Sequence, residues 1–304
     1  MKCIFIYNPV GGKGKIVKKL DYIVRELQKK YDIVDVYPTK CAGDMITAVR
    51  DAASKYDAII FSGGDGSFNE VVRGVVELEN IPALGYIPSG TVNDVAHTLK
   101  IPTNIKKALK VILSGRVEKL DCMKVNDTYV MYVVAAGAFT STTYATPQDQ
   151  KNYMGRLAYG LHGIKNNLIF RVFNVFCRGK REIEHADCVL ISVMNSRYVA
   201  GFKMNKDASL IDGQLEVAIV RQKKKANIFE KIIGYFSVAK LFLFGYGSIK
   251  ERKHITKMSG ASFDIKVDDD VVWTFDGEKG ATGSVHVEVV SRKIPVIIPK
   301  NYKF

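Results

Sequence analysis

Apolar positions along the chain follow two different rhythms. In the N-terminal part, short apolar runs alternate with stretches in which apolar residues recur every three or four positions. CIFIY (3–7), IVDVY (33–37), AIIFS (58–62) and ALGYI (83–87) read as strands. Between them, residues 15–30 place Ile16, Leu20, Ile23, Val24 and Leu27 on one helical face, and residues 44–54 and 68–78 predict two further helices. Strand and helix in strict alternation predict a parallel sheet covered by helices on both faces, a doubly wound α/β domain.

Beyond residue 125 the pattern becomes strand after strand: YVMYVVAAG, RVFNVFC, ADCVLISVM, LEVAIV, ASFDIKV, VVWTF and VHVEVV. Short turns separate many of them, which predicts an antiparallel sandwich or barrel. Helical patterns interrupt it at 153–167 and 226–245. The expected organisation is therefore an α/β domain over 1–125 and a mostly antiparallel β-sandwich over 126–292, with a tail, 293–304, placed to return to the first domain.

Composition changes this picture in two respects. The chain of 304 residues carries 45 Lys and Arg against 31 Asp and Glu, a formal charge of +14, which favours an anionic partner. No RNA-binding signature or zinc-finger spacing accompanies that charge, so nucleic acid is not indicated. The five cysteines are scattered without a C-x-x-C, which suits reduced thiols in the cytosol; the apolar run at the start is too short for a secretory signal. The apolar stretch around 227–247 carries Glu230, Lys231 and Lys240, too many charges for a membrane span. A cytoplasmic protein, working in solution or against the face of a bilayer, is expected.

Three glycine-rich turns fall at strand ends, where open α/β sheets bind ligands. The first, Asn8-Pro9-Val10-Gly11-Gly12-Lys13-Gly14-Lys15, follows the first strand and matches neither a Walker loop nor a dinucleotide fingerprint. The second, Gly63-Gly64-Asp65-Gly66-Ser67-Phe68-Asn69-Glu70, sets a carboxylate among glycines before a helix that Ser67 or Asn69 is expected to cap. A carboxylate beside phosphate implies Mg²⁺, reached through water. The third, Pro88-Ser89-Gly90-Thr91-Val92-Asn93-Asp94, opens another helix. Three such turns on one sheet edge have an anion site as their simplest common cause.

In the second half, Asp276 ends VVWTF and precedes Gly277, which predicts either a carboxylate left open at a loop or an Asp-Gly hairpin turn. Asp268-Asp269-Asp270 reads as a charged hairpin tip, and the histidines have no ligand spacing. The helix over 227–246 is rich in Phe and Ile, with Lys223-Lys224-Lys225 before it and Lys250, Arg252 and Lys253 after it. It fits a helix lying on an anionic bilayer as well as it fits a core helix over the sandwich. The segment YMGRLAYGLHGIK is a candidate lining for an acyl-chain path.

NPVGGKG, GGDGSFNEVV and PSGTVNDVA, in this order and spacing, closely resemble the diacylglycerol kinase catalytic-domain family, which includes soluble bacterial lipid kinases and the sphingosine and ceramide kinases. GGDG alone is shared with NAD kinases and phosphofructokinases. The likeness extends through Leu210-Ile211-Asp212-Gly213-Gln214-Leu215 and Phe275-Asp276-Gly277-Glu278. It implies ATP-dependent phosphorylation of a lipid alcohol such as diacylglycerol, in a cleft between two domains. ATP would contact Asn8, Pro9, Val10, Gly11, Gly12, Thr39, Gly64, Asp65, Gly66, Ser67, Phe68, Asn69, Glu70 and Thr91. Asp65 and Asp94 would organise Mg²⁺ and phosphate, and Asp276 with Glu278 would supply the general base. A structural Mg²⁺ would sit on Asp212 with backbone carbonyls near Ser209 and Gln214. The partners implied are a lipid substrate and an anionic membrane surface, with a homodimer left open. A soluble acceptor such as NAD, or a non-catalytic lipid-binding regulator, are the alternatives. Ser67 replaces the family's Thr, Gly11 a common Ser, and Val95 and His97 a Phe and an Arg, so His97 leaves phosphate neutralisation at that position in doubt.

Overall fold

The computed structural model describes residues 1–138, 171–180, 183–246 and 254–303; the helix expected at 153–167 lies outside them. Contacts divide the chain into two compact units, Met1–Cys122 with Ser291–Phe304, and Met123–Val290.

The first unit is built on parallel strands β1 (Lys2–Tyr7), β2 (Ile33–Pro38), β3 (Ala58–Gly63) and β4 (Ala83–Pro88), in the order β4-β3-β1-β2. Cys3 pairs Ala58, and Ala58 pairs Ala83. β3 is buried along its whole length, as a central strand covered on both faces must be. Helices α1 (Leu20–Leu27), α2 (Asp44–Ala52), α3 (Asp65–Val75), α4 (Asp94–Thr98) and α5 (Ile105–Ser114) connect the strands.

Two helix starts differ from expectation. The pattern over 15–30 becomes a 3-10 turn at Val17–Lys19 followed by α1, because Lys19 leaves helical geometry at φ −118° and ψ 9°. Helix α3 begins at Asp65 with Gly64 as its N-cap, so neither Ser67 nor Asn69 caps it. Helix α5, which the periodicity did not reveal, is capped by the Asn104 side chain accepting from Lys107 N at 3.1 Å.

Strand β5 (Arg116–Val125) leads out of the first unit. The second unit then contains β6 (Thr128–Val130), β7 (Val133–Gly137), β8 (Phe173–Arg178), β9 (Ile183–Met194), β10 (Leu215–Arg221), α6 (Ile228–Phe244), β11 (Ile255–Gly260), β12 (Ser262–Val267), β13 (Val272–Phe275) and β14 (Glu278–Thr282). Strand β15 (Val285–Ile298) begins here and ends in the first unit, where Val296 pairs Leu84 in parallel. Within the second unit the pairings are antiparallel, in the order β14-β13-β7-β9-β8-β12, with β10 and β11 branching from β9. This is the antiparallel β-sandwich expected of the second half. Its core gathers Phe173, Val193, Ile219, Phe263, Trp273 and Val287; the Trp273 indole N–H donates to Gly283 O at 2.7 Å, so the buried ring leaves no polar atom unpaired.

Asp270 forms an exposed ion pair with Arg171, which holds its carboxyl below the ordinary value, and Val271 N closes onto Asp268 O. The acidic run is a turn in the connection from β12 to β13, not the hairpin tip expected, because β12 pairs with β8 and β15 while β13 pairs with β7 and β14. Four of the five cysteines are buried and all five are free thiols.

Candidate active site

Because β1, β3 and β4 run parallel and adjacent, their three glycine-rich turns emerge at one edge of the sheet. After β1, Asn8 shapes its own turn: Oδ1 accepts from Val10 N at 3.0 Å and from Gly11 N at 3.1 Å. Pro9 is half-buried, the Val10 side chain is exposed, and Gly11–Gly14, including Gly12, continue as a 3-10 turn. Thr39, just past β2, joins this turn by donating its N–H to Tyr7 O at 2.9 Å.

The turns after β3 and β4 touch through their backbones. Ser89 N donates to Gly63 O at 2.8 Å. A Cβ on Gly64 would lie 3.1 Å from Gly90 Cα, and one on Gly90 only 2.4 Å from Gly64 Cα. Space therefore requires a glycine at 90 and leaves a side chain at 64 little room. Asn93 braces the pair from a left-handed conformation at φ 58°: its Oδ1 accepts from Gly90 N at 3.0 Å and its Nδ2 donates to Gly90 O at 2.7 Å. The buried Tyr86 hydroxyl donates to Gly63 O at 3.1 Å and reaches Asn93 Oδ1 at 3.4 Å, linking both turns. The sequence gives no sign of Tyr86, and Asn93 read only as a helix opener; the taste of Asn for left-handed φ was the available signal.

Asp65 turns its carboxylate onto the start of α4, where Oδ1 accepts from Val95 N at 3.1 Å. Burial pushes its carboxyl above the ordinary value, opposed by backbone bonds from Val95, Asp94 and Asn93 and by nearby His97. Asp94 is buried, Thr91 exposed, and Gly66 and Ser67 lie in the first turn of α3. Phe68 is fully buried, edge-on to Phe61 and Tyr86, so its ring belongs to the core. Asn69 Oδ1 is buried without a hydrogen-bond partner, and Glu70 Oε1 accepts from Gly43 N at 3.0 Å, tying down the start of α2. The first intrahelical bond of α3 runs from Phe68 N to Gly64 O at 3.0 Å, which leaves the preceding amides outside the helix's own ladder, suited to an anion.

In the second unit, Asp276 and Gly277 form the two-residue hairpin between β13 and β14, both left-handed at φ 48° and 87°, as a type I′ turn demands. The side chain is not open as a loop position suggests: Asp276 is only 5% exposed. Its Oδ2 accepts from Met131 N at 2.7 Å, and its Oδ1 from Tyr132 N and Val133 N, both at 2.9 Å. Asn195 supports that segment from behind by donating to Met131 O at 3.1 Å. Burial arises because β13 pairs β7, which brings the 131–133 backbone alongside. Glu278 opens β14 and is exposed.

Asp212 is exposed in a turn where its Oδ1 accepts from Gln214 N at 3.0 Å and Gly213 is left-handed; Ser209 is half-buried nearby in sequence. Burial, then the charge of Asp212, pushes the neighbouring Glu216 carboxyl up to about 7, against a bond from Asn205. Among the described residues no group of three His, Cys, Asp or Glu stands ready to hold a metal.

A parallel sheet whose edge carries touching glycine turns beside a helix start defines a phosphate-handling α/β protein. Residues 2–125 match the diacylglycerol kinase catalytic domain, and residues 132–298 the YegS C-terminal NAD kinase β-sandwich-like domain. The diacylglycerol kinase of Bacillus subtilis (strain 168) is 33% identical over 300 residues, covering 97% of this chain and 95% of its own. That of Staphylococcus saprophyticus is 31% identical, covering 98% and 95%. A solved candidate diacylglycerol kinase from Bacillus anthracis str. Sterne superposes with a TM-score of 0.81 at 25% identity, over 98% of this chain and 96% of that one. The chain belongs to the diacylglycerol kinase family. It is accordingly a lipid kinase, a phosphotransferase that uses ATP.

Proposed function

We propose that this lipid kinase transfers the γ-phosphate of ATP to the hydroxyl of diacylglycerol or a similar lipid alcohol at an anionic membrane surface, with Asp276 accepting the hydroxyl proton. The observation that carries the nucleotide part is the backbone contact of Gly64 with Gly90, which makes a side-chain-free phosphate cradle at one sheet edge. ATP fits these residues: the glycines admit close approach, the first-turn amides of α3 suit phosphate oxygens, and the orphaned Asn69 Oδ1 offers an acceptor to a nucleotide N–H or O–H. Bound with Mg²⁺, ATP supplies the phosphoryl group and the cation supplies charge neutralisation. Asn8 to Gly12, Thr39, Gly64 to Glu70 and Thr91 hold the nucleotide in this reading. Asp65 already accepts from Val95 N, so it and Asp94 serve the cation through water. Asp276 is oriented by three N–H donors, which fixes where a proton is taken, and Glu278 stands two residues on.

Transfer of label from [γ-³²P]ATP to micelles of diacylglycerol, a sphingoid base or an isoprenoid alcohol should exceed transfer to NAD in the same buffer. Preference for NAD would sink the lipid assignment in favour of a soluble acceptor, and labelling of no acceptor would point to a regulator.

The turn at Asp212, with carbonyls at Ser209 and Gln214, is proposed to hold a second, structural Mg²⁺. Magnesium at about 100 times its Kd should stabilise the folded chain by about 2.7 kcal/mol, raising Tm by about 2–4 °C per kcal/mol. Asp212→Asn should remove most of that gain in a thermal melt without ATP; an unchanged gain would take Asp212 out of the site.

A further inference from the structure

Helix α6 is apolar on two sides, and protein covers only one of them. Gly234, Ser237, Val238 and Leu241 are buried, and the helix packs on β10. It approaches so closely that a Cβ on Gly234 would lie 2.1 Å from Gln222 Oε1. On the other side Phe229 is 74% exposed, Ile232 44%, Ile233 42% and Phe236 63%. Their spacing, i, i+3, i+4 and i+7, makes one continuous stripe, which exposed Lys240 and Phe244 extend. Lys223, Lys224, Lys225 and Lys231 are exposed as well. Glu230 is the one acidic residue between 223 and 244, and it is engaged in a capping box with Asn227 at 2.9 and 3.0 Å.

We infer that this outward stripe of α6 docks the protein on an anionic lipid bilayer, its rings and isoleucines entering the boundary between headgroups and acyl chains while the lysines meet lipid phosphates. The inference rests on the lipid-kinase reading above and names the element that brings that reaction to its substrate. Among the described residues no helix is long and apolar enough to cross a membrane, so α6 lies along the surface. Charge chooses the occupant. A second copy docked through the same face would bring two sets of lysines together with only Glu230, engaged by its capping box and by Lys223 at 3.6 Å, as an acidic counterpart in the segment, since a two-fold interface pairs like with like. An anionic bilayer neutralises those lysines while covering the rings.

Co-sedimentation of the full chain with phosphatidylcholine vesicles, with and without phosphatidylglycerol, tests this. The wild-type chain should bind the mixed vesicles and not the neutral ones. Phe229→Ser with Phe236→Ser should weaken binding by about tenfold or more for each ring withdrawn from hydrocarbon. Replacing Lys223, Lys224 and Lys225 by Gln should abolish the preference for phosphatidylglycerol. Circular dichroism melts and turnover of a short-chain diacylglycerol dissolved below its micelle concentration should match wild type in both variants. Vesicle binding unaffected by the Phe changes would overturn the inference. So would a wild-type dimer that the Phe changes disperse, with no vesicle binding in either protein. The kinase reading fails separately, through absent turnover of the dissolved substrate by the wild-type chain.

Discussion

Asp276→Asn should lower kcat by about 10³-fold, within the range removal of a positioned general base produces, while KM for ATP changes little. The carboxylate receives three backbone N–H groups, two on Oδ1 and one on Oδ2. Asparagine tolerates the left-handed backbone at this position, and its amide oxygen can replace Oδ1 toward Tyr132 and Val133. Its NH₂, however, would meet Met131 N donor to donor, a mismatch costing about 1–3 kcal/mol. The variant is therefore expected to be both less stable and inactive, and the two effects must be separated. Turnover per nucleotide-binding-competent molecule, at a temperature well below the variant's Tm, isolates the chemical step. If activity so normalised stays within a few fold of wild type, Asp276 is a structural clamp on the 131–133 segment and the base lies elsewhere. Glu278→Gln, at an exposed position two residues further on, is the informative companion: a loss rivalling that of Asp276→Asn would move the base to Glu278.

The frame of both units was legible because it is written in local patterns. β1, β3 and β4 announce themselves as apolar runs, and each ends in a glycine cluster that the structure brings to one edge. What stayed hidden depends on contacts between distant segments. Tyr86 reads as one more strand residue until β3 and β4 lie side by side and its hydroxyl reaches Gly63 O. Asp65 reads as an open acid until α4 starts beside it and takes its oxygen. Asp276 announces its Asp-Gly turn, yet its burial comes from a strand more than a hundred positions earlier, whose pairing with β13 no local pattern encodes. Of the two readings of the helix around 227–246, the structure bears on the core one, through the part of the helix that packs on β10. A helix apolar on two sides has no single moment to read, and only the fold reveals that Val238 and Leu241 are covered while Phe229 and Phe236 are not.

Gly90→Ala should destroy nucleotide binding through space alone. The left-handed glycines of this chain do not include Gly90, so its backbone conformation is open to alanine. The added methyl would nevertheless sit 2.4 Å from Gly64 Cα and 2.8 Å from Asn93 Oδ1. Carbon atoms at rest lie about 3.5–4.0 Å apart, so the two turns must part by about an ångström. Neither neighbour yields cheaply. Gly64 follows a strand paired on both sides, and Asn93 is held by two bonds to Gly90 itself. Overpacking of this kind costs about 1–3 kcal/mol in stability, and ATP affinity should fall by at least about tenfold, the equivalent of 1.4 kcal/mol. Asn93→Ala reaches the same end without adding bulk. It deletes both bonds that fix Gly90, and it should weaken ATP binding in the same direction but by less. Calorimetric titration with a non-hydrolysable ATP analogue reads both variants directly. Wild-type affinity in Gly90→Ala, with the fold intact, would mean that the contact between these two turns is a packing detail and that the triphosphate is held somewhere else.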